Sequence, residues 1–234
     1  MSVFSNLPRV TKNLILINIC IFCLTWFGEV MMKTDVMGSM FALFYPASPH
    51  FHFWQPLTYM FLHGGFWHIF FNMYTLFVFG PVVERMIGEK KFLFLYILCG
   101  LGAAACQIGV QALQASHFMN QMALGSNEAA TSYMYLKSVP TVGASGSIFG
   151  VLIAYAMLFP QSRLTLIFPP VTLSAKWMVI IFAAIELLSG MGSIAGSFST
   201  NVAHFAHIGG MLFGFVMIWL WRRSGKLFDR EYFN

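Results

Sequence analysis

Six stretches of this chain, near residues 12–32, 58–83, 91–114, 143–160, 174–191 and 202–222, run for about 18 to 26 residues with charged side chains only toward their ends. A bilayer core of about 30 Å takes about 20 apolar residues to cross as a helix. Inside hydrocarbon a backbone must satisfy its own hydrogen bonds, which only helices and closed barrels achieve. The alternating ten-residue pattern of barrel strands is nowhere evident. The expectation is therefore an all-α membrane protein, a single domain over residues 1–234 with six transmembrane helices and a short cytoplasmic tail at 223–234. Composition agrees, since 58% of the residues are hydrophobic and 9% charged, against roughly 25% charged in soluble domains.

The net charge of +5 is explained by topology and not by nucleic acid. With a cytoplasmic N-terminus, Arg9, Lys12, Arg85, Lys90, Lys91, Arg163, Lys176, Arg222, Arg223, Lys226 and Arg230 fall inside, and Lys33 and Lys137 outside. Eleven bases against two is a strong positive-inside pattern. Cysteines at 20, 23, 99 and 106 all lie in apolar stretches, which speaks against a secreted disulfide framework or a zinc site. The first apolar run lacks a small-residue cleavage site, so no cleaved signal is expected. Between the first two spans, Lys33 to Gln55 is too long for a turn, and its Met, Phe and Trp residues suggest a structured loop lying on the membrane.

Polar side chains at membrane depth are costly and mark function. In this topology the second, fourth and sixth spans all enter from the outside, and each carries polar groups a few residues below that surface. The second has His68 and Asn72, four residues apart on one face. The fourth opens with Gly143, Ala144, Ser145 and Gly146, and the sixth has His204 and His207. Small residues four apart let membrane helices approach closely, as do Gly146 with Gly150 and Gly210 with Gly214. His207 falls about 60° and 20° around its helix from the latter pair. An approach of the fourth and sixth helices brings Ser145 to His207, as a nucleophile and its base require; His204, about 60° further round, stays open on geometry alone. Taken singly each feature is weak, because a membrane Ser or Asn is commonly packing glue, and the run through Ser147 fails the soluble-hydrolase elbow.

Together these residues resemble the rhomboid intramembrane serine proteases. Gly143-Ala144-Ser145-Gly146 is similar to the family's GxSG motif, and Ala206-His207 with Gly210 and Gly214 to its AHxxGxxxG motif. His63, His68 and Asn72 match HxxxxHxxxN, and Glu84-Arg85 with Gly88 resembles the end of the family's second helix. The likeness covers nearly the whole chain. It implies a six-helix bundle, and hydrolysis of peptide bonds in or beside transmembrane segments of other membrane proteins by a Ser/His dyad. By carry-over Ser145 is the nucleophile, His207 the general base, and His204 is passed over. The Ser145 backbone N–H with His68 and Asn72 forms the oxyanion site. No metal or organic cofactor is implied; the partners are transmembrane substrates and the bilayer. A bacterial inner membrane, with both termini cytoplasmic and the site toward the outside, is expected.

Two positions depart from the family pattern. Gln55 stands where an Arg usually follows Trp54, which suggests weakened anchoring of the first loop. Phe149 stands where many members have Tyr; its ring can stack on His207 but offers no hydroxyl. Glu186 is read as a partly solvated helix end or a bond to a neighbouring helix, and His63 as a brace for the first loop. Two rivals are a catalytically inactive rhomboid relative that binds membrane proteins, and a small transporter relaying protons through His68, His204, His207 and Glu186.

Overall fold

The computed structural model describes residues 6–33, 35–165, 170–194 and 203–227. Among the described residues, five helices are long and apolar enough to cross a membrane: α1 Arg9–Met32, α4 Phe66–Ile87, α5 Glu89–Ala123, α8 Ala175–Ile194 and α9 His204–Arg223. Short helices α2 Val36–Phe41 and α3 Gln55–Thr58 sit in the first loop, α6 Asn127–Ser138 follows α5, and α7 Ser145–Leu158 lies among the long helices. A two-stranded antiparallel hairpin, β1 Arg163–Thr165 with β2 Thr172–Ser174, links α7 to α8. Apart from that hairpin the protein is a helical, multi-pass membrane bundle. Its outward faces carry Leu24, Trp67, Phe71, Leu188 and Leu212, all exposed, as lipid-facing surfaces require.

The helices depart from the expected spans where local chemistry overrides hydropathy. The second was expected from 58, but α4 begins at Phe66. Before it come α3, a 3-10 turn over Tyr59–Phe61 and the Gly64-Gly65 pair, two glycines that lower helix propensity by about 1 kcal/mol each. The third continues through Ala123, nine residues past the expected end. At 1.5 Å per residue α5 is about 52 Å long, well beyond a 30 Å core. Of the expected tail, residues 228–234 lie outside the described residues, as does residue 202 of the sixth span.

At the centre α9 packs chiefly against α5 and α7. A methyl on Gly210 would collide with the carbonyl oxygen of Gly146, and one on Gly214 would lie 2.7 Å from that of Gly150. Backbone thus lies on backbone along the α7–α9 seam, the arrangement by which membrane helices gain dispersion contacts that lipid cannot rival. The core around it contains Phe92, Leu95, Tyr96, Cys99, Ile148, Val151 and Ile218.

At the other end of the bundle from Ser145, Glu84 is 2% exposed. Its carboxylate accepts from the N–H of Val10 at 2.9 Å and of Thr11 at 2.7 Å, and from the Thr11 hydroxyl at 2.6 Å. These are first-turn amides of α1 that have no partner within their own helix, so the anion caps α1 from α4.

Gly210→Leu is expected to force α9 off α7, destabilising the fold by several kcal/mol. Thermal unfolding in detergent should show a clearly lowered midpoint, whereas Gly109→Ala, where a methyl meets nothing within 4 Å, should leave it near the wild type.

Candidate active site

Ser145 is the first residue of α7, His207 lies in the first turn of α9, and His68 and Asn72 occupy the first two turns of α4. All sit at the same end of the bundle. Helix α7 has 14 residues and is about 21 Å long, short of a 30 Å hydrocarbon core, so one of its ends lies at hydrocarbon depth.

The glycine seam brings the two motifs into contact. The Oγ of Ser145 is 2.7 Å from Nε2 of His207, a hydrogen bond in which the hydroxyl donates when the neutral ring carries its proton on Nδ1. Phe149, one turn into α7, stacks on the His207 ring with centroids 4.4 Å apart and planes inclined by 28°. The imidazole is therefore held between a ring face and a hydroxyl. His207 is 9% exposed. Ser147 is fully buried, with its hydroxyl 3.9 Å from Sδ of Met60, and of the two serines it is Ser145 that bonds to His207.

The turn ahead of Ser145 depends on Gly143. Its φ of +131° is a backbone conformation that L side chains rarely adopt, and a Cβ there would stand 2.8 Å from Nε2 of His68. Its N–H donates to the Tyr59 carbonyl at 3.0 Å. Leu43 and Thr141 exchange backbone hydrogen bonds of 2.9 and 2.8 Å, tying the first loop to the segment that presents the serine.

His68 accepts the Gly64 N–H on Nδ1 at 3.4 Å. Its neutral ring then carries a proton on Nε2, the nitrogen beside Gly143. Asn72 is 7% exposed, and its Nδ2 has no hydrogen-bond partner among the described residues. A buried amide donor left unpaired is costly. His63 lies before α4, and its ring meets that of His68 edge to face at 5.1 Å. Burial first, and the neighbouring His68 second, push the His63 imidazole down to about 3.

Two residues play larger parts than the sequence reading gave them. Gln55 is fully buried. Its amide donates to the carbonyl of His50 at 2.7 Å and its oxygen accepts from the N–H of Phe44 at 3.2 Å. This corrects the expectation of weakened anchoring: a neutral amide, donor and acceptor at once, staples the loop internally. Glu186 of α8 reaches both histidines of α9, with Oε2 at 2.6 Å from Nδ1 of His204 and Oε1 at 3.0 Å from Nδ1 of His207. The expected dyad has no acidic neighbour; this site has one. An acid at membrane depth on the helix beside a His pair was the available signal.

The family model for the rhomboid domain matches residues 50–224. The chain belongs to the rhomboid family. Curated relatives include rhomboid protein 1, mitochondrial, of Saccharomyces cerevisiae, 27% identical over 68% of this chain and 39% of its own length. Another is the rhomboid protease AarA of Providencia stuartii, 28% identical over 88% of this chain and 69% of its own. The putative rhomboid protease YdcA of Bacillus subtilis is 28% identical over 71% and 66%. This rhomboid thus spans well under half of the length of the yeast relative, and some of its relatives are named proteases while others are named only rhomboid-like.

Gln55→Ala removes the central staple of the first loop and is expected to cost about 1–3 kcal/mol, read as a lowered thermal midpoint and faster limited proteolysis within residues 42–54. For His63 the folded value lies below the unfolded one, so its contribution to stability is complete above about pH 6.5 and is lost as pH falls toward 3. His63→Phe should therefore lose less stability than the wild type between pH 6.5 and 4, measured as paired melting curves.

Proposed function

We propose that this rhomboid is an intramembrane serine endopeptidase that cuts other membrane proteins within or beside their transmembrane segments. The observation carrying this reading is the 2.7 Å contact of Ser145 Oγ with His207 Nε2 at the end of two helices locked backbone to backbone. A serine is a weak nucleophile until an adjacent base takes its proton. In this reading the Oγ electron pair attacks the scissile carbonyl carbon as the hydroxyl proton passes to Nε2. The carbonyl π electrons move to oxygen, and Nε2 later returns the proton to the departing amine nitrogen. Water then repeats the sequence on the acyl-enzyme.

The developing oxyanion is assigned to three donors. They are the backbone N–H of Ser145, free at the start of α7, Nε2 of His68 and Nδ2 of Asn72. The unpaired state of Asn72 Nδ2 supports this, because a buried donor kept without a partner has its use when an acceptor arrives. Substrates are single-span or multi-span membrane proteins whose helix unwinds near the site; no metal or organic cofactor takes part. The location is the inner membrane of a bacterium, with both termini in the cytoplasm. Supporting it, Arg85, Arg222 and Arg223 end α4 and α9 at the end opposite Ser145, so the site faces the external side.

The test is cleavage of a single-span model substrate in proteoliposomes. Ser145→Ala and His207→Ala should abolish cutting, and His68→Ala and Asn72→Ala should each slow it by about 10²–10³. His204→Ala should retain far more activity than His207→Ala. A folded wild type that cuts none of several substrates, or a Ser145→Ala variant that cuts at the wild-type rate, contradicts the proposal and favours a binding role.

A further inference from the structure

Glu186 is the acidic side chain of the bundle that the dyad leaves without a task. It lies on α8 eight residues before the helix end at Ile194, about 12 Å along the axis. An ionised carboxylate there is expensive unless it is paired and hydrogen-bonded. Its side chain is 14% exposed, and its two oxygens are divided between the two histidines of α9. Oε2 makes a 2.6 Å hydrogen bond with Nδ1 of His204. Oε1 stands 3.0 Å from Nδ1 of His207 but off the N–H axis, so that this nitrogen is buried without a hydrogen bond. The opposite nitrogen of the same ring holds Ser145.

Building on the protease reading, we propose that Glu186 is a positioning residue for His207, completing a Ser145–His207–Glu186 line in which His204 fixes the carboxylate. The chemistry is that of any imidazole base used through one nitrogen. For Nε2 to accept the Ser145 proton, the neutral ring must carry its proton on Nδ1, and a carboxylate beside Nδ1 selects that tautomer. When Nε2 takes the serine proton the ring becomes an imidazolium, and the anion 3.0 Å away offsets the new charge in a setting where water screens little. The proton stays on the ring and later goes to the leaving amine; the carboxylate is not protonated in the step.

The geometry gives each partner a separate duty. Phe149 on one ring face fixes the plane of the imidazole but not which nitrogen bears hydrogen. His204, bonded to the far oxygen, stops Glu186 from turning out to lipid or water. A small rotation of His207 would bring Nδ1–H onto Oε1, and hydrogen bonds of this kind are commonly poorly aligned in a free enzyme and tighten with substrate bound. The feature involves three helices, since α8 supplies the carboxylate, α9 the base and α7 the nucleophile. The placing of α8 thereby bears on whether the base is set.

The experiment is steady-state cleavage of a fluorogenic single-span peptide in proteoliposomes by wild type, Glu186→Gln, Glu186→Asp and His204→Ala, with thermal midpoints taken on each. The proposal expects Glu186→Gln to lower kcat by roughly 10²-fold, with KM and the thermal midpoint near wild type. Glu186→Asp should recover a substantial part of the lost kcat, and His204→Ala should fall several-fold through kcat alone. A Glu186→Gln kcat within about threefold of wild type overturns the positioning role and leaves the protease reading standing. So does a loss that follows the thermal midpoint, with Asp no better than Gln, since that is a purely structural role. A wild type that does not cut at all overturns the protease reading, and this role with it.

Discussion

The backbone contact between α7 and α9 is the interaction on which the site depends. Lipid tails offer helices no hydrophobic gain from association, so two membrane helices stay together through close packing and through polar groups they can satisfy in each other. Glycine at 146, 150, 210 and 214 removes the side chains that would hold the axes apart, and Gly210 then rests on the carbonyl of Gly146. Ser145 is one residue before that contact, and His207 one turn before it on the other helix. Their 2.7 Å separation is thus set by main-chain geometry, which varies less than side-chain packing does.

Around this seam the fold resolves a conflict between hydrocarbon and polar chemistry. The proposed hydrolysis needs water and dipoles, and the bilayer excludes both. Helix α7 is shorter than the hydrocarbon core is thick, and like any helix it starts with amides that have no partner within it. The same end of the bundle gathers His68, Asn72, His204, His207 and Glu186. At the opposite end Glu84 takes up the first-turn amides of Val10 and Thr11 in α1. The donor of Asn72 at one end is thus left open, while the two amides of α1 at the other are taken up by Glu84.

Much of this was legible in the chain. The six expected apolar spans appear as five long apolar helices and the shorter α7, and glycines at spacings of four pointed to an approach of α7 and α9, while the choice of His207 over His204 came only from the likeness to the family's motif. Hydropathy could not locate the start of α4, because residues 59–62 form an apolar run ahead of it while Gly64 and Gly65 break the helix; nor the end of α5, which runs on into polar sequence where residues of good helix propensity continue it. The role of Gln55 was hidden for a different reason. Its partners are the backbone atoms of Phe44 and His50, and backbone leaves no trace in residue identity. Glu186 was visible as an acid at membrane depth, but the fact that makes it matter, its division between two histidines of another helix, depends on how α8 packs on α9.

The most direct measurement is covalent. The protein in lipid should be treated with a fluorophosphonate and the modified residue mapped by mass spectrometry of its peptides. The account predicts one adduct, on Ser145, formed far more slowly in His207→Ala at unchanged thermal midpoint. An adduct on Ser147 or another serine, or none on Ser145 in a preparation that cleaves substrate, would contradict it.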